Sequence, residues 1–428
     1  MPGQGNNRVR FFGRDREWAL LDRALAGVRH HGQLFVISGR RGSGKTALVQ
    51  GWLASRRKRA LVWTAQPEAE KLDQATRFTQ ALQRTWKLTG GAVRPFALDA
   101  WRDAFRQLAA AAETKRRIVV IDGASDLLAE GSLFSSALQQ AWDQQLQHRP
   151  VLLILIAHHA SRVHEHLRSY TRAPLYGRLT GFWQARPIAW LDYAQAFHRW
   201  SLQDQLLAYA VTGGWPAFVS RLEPDQPARE TLARLLISDE YAHSARALLA
   251  DFDLAACTDV LKVLRALAPG SANRLTLSAR TRLSHKALNA VLVDLETVGL
   301  VDVLEEPFDR PAPPSQRLFY RLTDQQLRFF SRFLERSPQP HSAREARRLL
   351  SLHRPGLRAH LADVVAHEIV LPWVLHGGDR GAWPEQIERA GPLARIDAAH
   401  ILGLDPRQQR FFSSTVLSHP PVLLEPVA

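Results

Sequence analysis

The stretch that most constrains this chain is residues 34–55. An apolar run, Leu34 to Ser38, leads directly into Gly39-Arg40-Arg41-Gly42-Ser43-Gly44-Lys45-Thr46, and Ala47 to Ser55 continue with helical patterning. The glycines of this G-x-x-x-x-G-K-T spacing let the backbone curl until its N–H groups converge on one hollow. A helix starting there adds the positive end of its dipole. Further apolar runs, Ala60 to Thr64, Ile118 to Asp122 and Val151 to Ala157, alternate with amphipathic segments, which is the rhythm of a parallel α/β sheet. The expected fold class is therefore α/β, a P-loop NTPase parallel sheet of the ASCE type.

Such a hollow suits a phosphate chain. The backbone from Gly39 through Thr46 to Ala47 is expected to cradle it, with Lys45 reaching the β- and γ-phosphates and the Thr46 hydroxyl coordinating Mg²⁺. A second acid is expected at the end of another buried strand, and Arg117-Ile118-Val119-Val120-Ile121-Asp122 supplies Asp122. The expected ligands are ATP and Mg²⁺, adenine being favoured because the chain holds no Asn-Lys-x-Asp guanine-reading motif. Lys45 and Asp122 are the first candidates for a catalytic role.

Hydrolysis is a separate matter. Where ATPases of this class place a glutamate beside the metal-site aspartate, this chain has Gly123. Losing a general base typically costs ~10² to 10⁴ in rate, so turnover is expected to be slow, absent or rescued elsewhere, with Asp126 as the nearest replacement carboxylate. The next strand ends in Ala157-His158-His159, where a polar side chain would meet the γ-phosphate. The same pair, with His164 and His166, also reads as a metal site or as a plain solvated loop.

Charge points outward. A net charge of +15 and a pI near 10.7 favour a polyanionic partner, since clustered cations release counterions from nucleic acid. Only seven of the 56 basic residues are lysine, however, and so heavy an arginine bias equally fits a GC-rich coding sequence. The longest apolar run, Val151 to Ala157, is far shorter than the ~20 residues of a membrane helix, and the first residues hold no apolar block of signal-peptide length. No membrane partner is expected, and the expected location is the cytoplasm. The single cysteine, Cys257, excludes an internal disulfide and reads as core within the apolar stretch Leu254 to Leu267.

Four regions follow from the patterning: a nucleotide domain over 1–190, a helical lid over 191–252, a winged helix-turn-helix over 253–335 and a small α+β region over 336–428. The third rests on a helix from Thr258, then Leu275 to Arg282, a longer helix Ser284 to Val298 with Gly299 as its C-cap, and the strand-like pieces Leu300 to Leu304 and Leu318 to Leu322 around Pro307 to Pro314. Docked in a major groove, the longer helix would bring His285, Lys286 and Asn289 to base edges while Arg280 and Arg282 touch phosphate. Asp294 and Glu296 on the same helix equally suit a protein connector. Double-stranded DNA, a protein partner and self-assembly all remain open.

Several motifs resemble the archaeal-type ATPases of the STAND class. Phe12-Gly13-Arg14-Asp15-Arg16-Glu17 is similar to that family's F-x-G/N-R-x-x-E box, Pro174-Leu175-Tyr176-Gly177-Arg178 to its P-L-Y-G-R motif, and Thr212-Gly213-Gly214-Trp215-Pro216 to its G-G-x-P motif. The resemblance covers roughly residues 10–335. It implies a base-proximal role for the first motif, Arg178 as a γ-phosphate or interdomain sensor, and a lid turn at Gly213 that follows the nucleotide state. It also implies a nuclease-like C-terminal region, here degenerate: Glu368, Asp397 and Glu425 fall in suggestive order, but Pro426-Val427-Ala428 supplies no metal-site lysine.

Overall fold

Five strands run in the same direction in the first sheet, and this fixes where every connecting loop lies. They are β1 (Gln33–Ser38), β2 (Leu61–Thr64), β3 (Arg117–Asp122), β4 (Val151–Ala157) and β5 (Gly181–Gln184), in the order β2-β3-β4-β1-β5. The parallel register pairs Ser38 with Ala157 and Asp122 with Ile156. All carboxyl ends therefore gather at one edge and all loops entering the strands at the other. The computed structural model describes residues 13–29, 31–66, 71–88, 96–125, 127–128, 132–158, 173–250, 254, 257–305, 318–335, 340–351, 355–365, 368, 389–392, 400–405, 410–415 and 425–427. Two compact units divide the chain, Met1–Arg186 and Pro187–Ala428.

In the first unit, α1 (Asp15–Gly27) and α2 (Lys45–Ser55) cover one face of the sheet, while α3 (Lys71–Trp86), α4 (Ala97–Ala111) and α5 (Leu133–Gln144) lie on the other. Every residue of β4 is buried, as a central parallel strand requires. Alternation divides it between two cores: Leu153 and Leu155 join Phe78, Trp101, Phe105 and Phe134, whereas Leu152, Ile154 and Ile156 join Leu21, Val49 and Trp52. Helices α3 and α4 run in the same sense, since Phe78 meets Trp101 and Phe105 and Gln83 reaches Gln107 further along both. The sequence reading omits β5, whose four residues, Gly-Phe-Trp-Gln, are too few to show a period.

The second unit begins with the helices α6 (Trp190–Ala196), α7 (Leu202–Thr212), α8 (Pro216–Val219), α9 (Ala228–Ile237) and α10 (Asp239–Ala250). From Gln205 to Thr212, α7 is buried on all sides, the mark of a central helix. Next come α11 (Thr258–Leu267), β6 (Ala272–Asn273), α12 (Arg274–Thr281), α13 (His285–Thr297), β7 (Val301–Glu305) and β8 (Leu318–Leu322), the strands forming an antiparallel sheet ordered β6-β8-β7. Asn273 and Ser284 cap the two helices of the turn, accepting from the Thr276 and Ala287 amides. At the other end of α13, Leu300 N–H donates to Leu295 at 2.9 Å beyond Gly299, the bond that closes a Schellman motif. The Pro307 to Pro314 segment lies outside the described residues.

Two expectations are corrected. Cys257 is exposed; it is the N-cap of α11, whose buried face starts at Val260. A helix-capping position faces solvent even beside an apolar run. Nor does packing break at residue 336: α14 (Gln325–Phe333) is followed by α15 (Ala343–Leu349), which lies on α9, and α16 (Pro355–Val364), which lies on α7. Arg328, fully buried, pairs with Asp363 of α16 and donates to the Ala268 carbonyl at the end of α11. Buried Leu350, Leu357 and Leu361 complete the join. Beyond lie β9 (Arg389–Pro392), β10 (His400–Asp405), β11 (Arg410–Thr415) and β12 (Glu425–Val427), an antiparallel sheet ordered β12-β11-β10-β9. Among the described residues no helix is long and apolar enough to cross a membrane.

Candidate nucleotide site

The turn from β1 into α2 is made by glycines at backbone angles that other residues avoid. Gly39 has φ +146°, and a Cβ there would stand 2.8 Å from that of Ala185, so the loop leaves β1 pressed against the residue that follows β5. Gly44, at φ +82°, is the N-cap of α2; no side chain caps the helix and no acid occupies its first turn. The amides of Lys45, Thr46 and Ala47 thus begin a helix whose N-terminus carries the positive end of the helix dipole with no side-chain cap. Lys45 is 3% exposed. Its ammonium donates to the carbonyls of Gly39 at 2.7 Å and Arg40 at 2.8 Å and to Ser43 Oγ at 3.2 Å, which holds a positive charge across the loop. Arg40 is buried beside it, and Arg41 is exposed at the tip with Gly42.

The side chains of Thr46 and Asp122 meet. Thr46 Oγ1 donates to Asp122 Oδ2 at 2.6 Å although 76 residues separate them. The other carboxylate oxygen, Oδ1, accepts from Gly123 N–H at 2.9 Å. A hydroxyl and a carboxylate in contact, beside an ammonium and an uncapped helix, form a donor set suited to a hard cation and a phosphate chain. Gly123 itself has φ +74°, and a Cβ there would meet the Ala65 carbonyl at 3.3 Å. The backbone at this position is therefore built for glycine and not for the missing glutamate.

Between the loop and Asp122 stands the end of β4. His158 follows Ala157, the register partner of Ser38, and its amide donates to Ser125 Oγ at 2.7 Å. Ser125, which sequence reasoning passed over, so ties the turn after Asp122 to the strand between the two halves of the site. Around the rim, Arg14 donates to Glu17 at 2.9 Å and to the Arg186 carbonyl at 2.8 Å, and its guanidinium lies 5.7 Å from the centre of the Trp183 ring. Trp18 donates to the Leu48 carbonyl of α2. The Arg14–Glu17 motif is thus anchored to the strand exit that touches Gly39. Ala185 and Trp183 carry no signature of their own and are found only by the pairing of β5.

Other expected site residues lie elsewhere. Arg178 comes just before β5, at the amino edge of the sheet, and donates twice to Asp143 at the end of α5, both at 2.7 Å. A six-residue strand, β1, separates that edge from the phosphate loop, roughly 20 Å at ~3.3 Å per residue. The reading of Arg178 as a γ-phosphate contact within its own domain is therefore corrected. Glu368 is taken up by Arg321 at 2.7 Å and Gln325 at 3.0 Å, so its carboxylate serves as an ion-pair partner in the second unit. Asp126, His159, His164, His166 and Asp397 lie outside the described residues. No cluster of three metal-ligating side chains occurs among the described ones.

The candidate DNA contacts divide. His285, Lys286 and Asn289 are exposed on the first half of α13, and Arg282 is exposed in the turn before it at φ +57°. Arg280 is exposed as well, and one of its guanidinium nitrogens donates to the Ala266 carbonyl at 2.9 Å near the end of α11.

Comparison with known proteins agrees with the geometry of the first unit. The family model described as "AAA ATPase domain" matches residues 10–168. An uncharacterized protein of Methanocaldococcus jannaschii is 22% identical over 303 residues, 71% of this chain and 64% of the relative; the chain thus spans under two thirds of that protein's length. The structure of the Walker-type ATPase of Pyrococcus abyssi is similar with a TM-score of 0.56 and 18% identity, covering 76% of this chain and 97% of that one. The sheet and its flanking helices are a P-loop NTPase fold.

Proposed function

We propose that this chain is an ATP- and Mg²⁺-dependent switch with slow turnover, coupled to a winged-helix output in its second unit. The observation that carries this reading is the convergence of Lys45, Thr46 and Asp122 around an uncapped helix N-terminus. Lys45 and the amides from Gly42 to Ala47 would hold the phosphates. Thr46 directly, and Asp122 through water, would hold Mg²⁺, which when bound offsets charge on the β- and γ-phosphates. His158, directly after β4, is the candidate to meet the γ-phosphate. Slow turnover follows from Gly123, whose backbone angle excludes an easy substitute for the glutamate. For the output half, the Gly213 turn presses on the helix following the hairpin: a Cβ at Gly213 would stand 2.8 Å from the Gln326 amide.

Gly123 also favours a second reading, a non-hydrolysing regulator that holds ATP for shape and binds duplex DNA through Arg282, His285, Lys286 and Asn289. The two separate on single-turnover hydrolysis of bound ATP, with Lys45→Ala as control. Lys45 makes charged hydrogen bonds worth about 1.5–3 kcal/mol each, so ATP affinity should fall at least about 10-fold in the variant, read as loss of the ATP-induced rise in unfolding temperature. Lys45-dependent turnover supports the switch, and binding without turnover supports the regulator. An unchanged thermal response to ATP in Lys45→Ala would sink both.

A further inference from the structure

The amino edge of the first sheet, opposite the phosphate loop, concentrates positive charge. Because its strands are parallel, the segments entering β2 and β3 open at this edge together with the end of α3. Arg57, Lys58 and Arg59 precede β2, Lys115 and Arg116 precede β3, and Lys87 follows α3. All six are exposed. Their proximity is direct: Arg59 donates to the Thr85 carbonyl at 2.8 Å near the end of α3, and its charge helps lower the pKa of Arg117, burial being the larger cause. Arg117 lies 4.8 Å from the centre of the Trp86 ring, so an aromatic surface is set between the two basic segments.

Acids nearby are already engaged. Asp22 pairs with Arg56 and Glu113 with Arg149, while no ion pair joins Arg57, Lys58, Lys87, Lys115 or Arg116 to a described carboxylate. Adjacent strands are ~4.8 Å apart, so the face is small and dense in cations.

We infer that this edge docks the phosphate backbone of double-stranded nucleic acid, independently of α13 and of nucleotide at the loop. Duplex DNA carries a charge per ~1.7 Å of axis, a spacing that a compact group of six cations can engage without base contacts. A membrane surface fits less well, because binding there draws on buried apolar area as well as charge. None of the exposed large hydrophobic residues, among them Val62, Phe96 and Tyr176, falls in these segments.

The test uses the full chain, a 30-base-pair duplex of arbitrary sequence and fluorescence anisotropy across a salt series without ATP. Replacing Arg57, Lys58, Lys87, Lys115 and Arg116 together by alanine should reduce the salt slope by about 3 to 5 and weaken binding at least about 10-fold near 0.1 M salt, since each phosphate contact contributes ~0.9 to the slope. Exchanging lysine for arginine and the reverse at the same five positions should leave both intact. Arg282→Ala with Lys286→Ala tests the helix-turn-helix face and should leave the edge contribution in place. Should the five-fold variant fail to fold, Lys115→Ala with Arg116→Ala decides, with an expected loss of about 2 in slope. The inference is overturned if the parent does not bind the duplex, if slope and affinity survive neutralisation, or if the edge residues are needed only for phosphatidylserine vesicles.

Discussion

The two edges of one sheet use charge in opposite ways. At the carboxyl edge Lys45 is buried, Thr46 and Asp122 are half-buried, and all three are hydrogen-bonded. At the amino edge six cations are exposed, and of these Arg59 donates to the Thr85 carbonyl. A buried site works through a few groups whose geometry is fixed in advance, so the loss of one is costly. An exposed patch works by summation, and each of its charges is weak alone and screened by salt. The contrast can be tested by single substitutions, which should matter at one edge and hardly register at the other.

The largest effect in this comparison is expected at the metal pair. Thr46→Ala and Asp122→Asn should each lower Mg²⁺-dependent ATP affinity by about 10- to 100-fold, the range typical for groups that hold or orient a metal. Calorimetry with Mg²⁺ and then with EDTA reads that component. Because the two side chains touch at 2.6 Å, the double variant should lose little more than either single one. Full additivity would mean that the pair does not act as a unit.

Gly123 should give the next effect. Placing alanine at φ +74° costs about 1–2 kcal/mol in backbone strain, visible as a lower unfolding temperature. Gly123→Glu should show the same loss and no gain in single-turnover hydrolysis, because the strained backbone would not deliver the carboxylate to a useful place. A faster turnover in Gly123→Glu without loss of stability would show that this edge tolerates a catalytic base.

The legibility of the molecule follows from how local each feature is. The phosphate loop can be read because its eight residues are contiguous and each glycine has a separate reason to be there. Asp122 can be read because a buried strand announces its own end. The helices Arg274–Thr281 and His285–Thr297 stand close to their expected bounds, since Asn273, Ser284 and Gly299 mark the helix ends in sequence. Arg178 could not be placed, because its edge of the sheet depends on β5, a strand too short to see. Cys257 was misread for a related reason: an apolar run does not show which of its residues lies outside the helix. The basic edge is legible only after folding, as its cations come from segments up to about 60 residues apart that parallel pairing brings to one side.

The smallest expected effect belongs to Arg178, and it is the sharpest test of the contrast. The residue looks important in sequence, yet its guanidinium pairs with Asp143 in a partly exposed contact, with side chains 25% and 44% accessible. Pairs of this kind contribute about 0.2–1 kcal/mol, so Arg178→Ala should lower the unfolding temperature by no more than a few degrees, at roughly 2–4 °C per kcal/mol for a domain of this size. A double-mutant cycle with Asp143→Ala should recover most of that loss as coupling between the two side chains. ATP affinity and single-turnover rate should stay within about 2-fold, because the nearest phosphate group would lie a strand's length away, roughly 20 Å at ~3.3 Å per residue. A 10-fold fall in turnover with the fold intact would mean that Arg178 reaches a phosphate site other than its own, that of a second copy of the chain. The amino edge would then belong to catalysis, and the division of labour between the edges would hold for one subunit but not for an assembly.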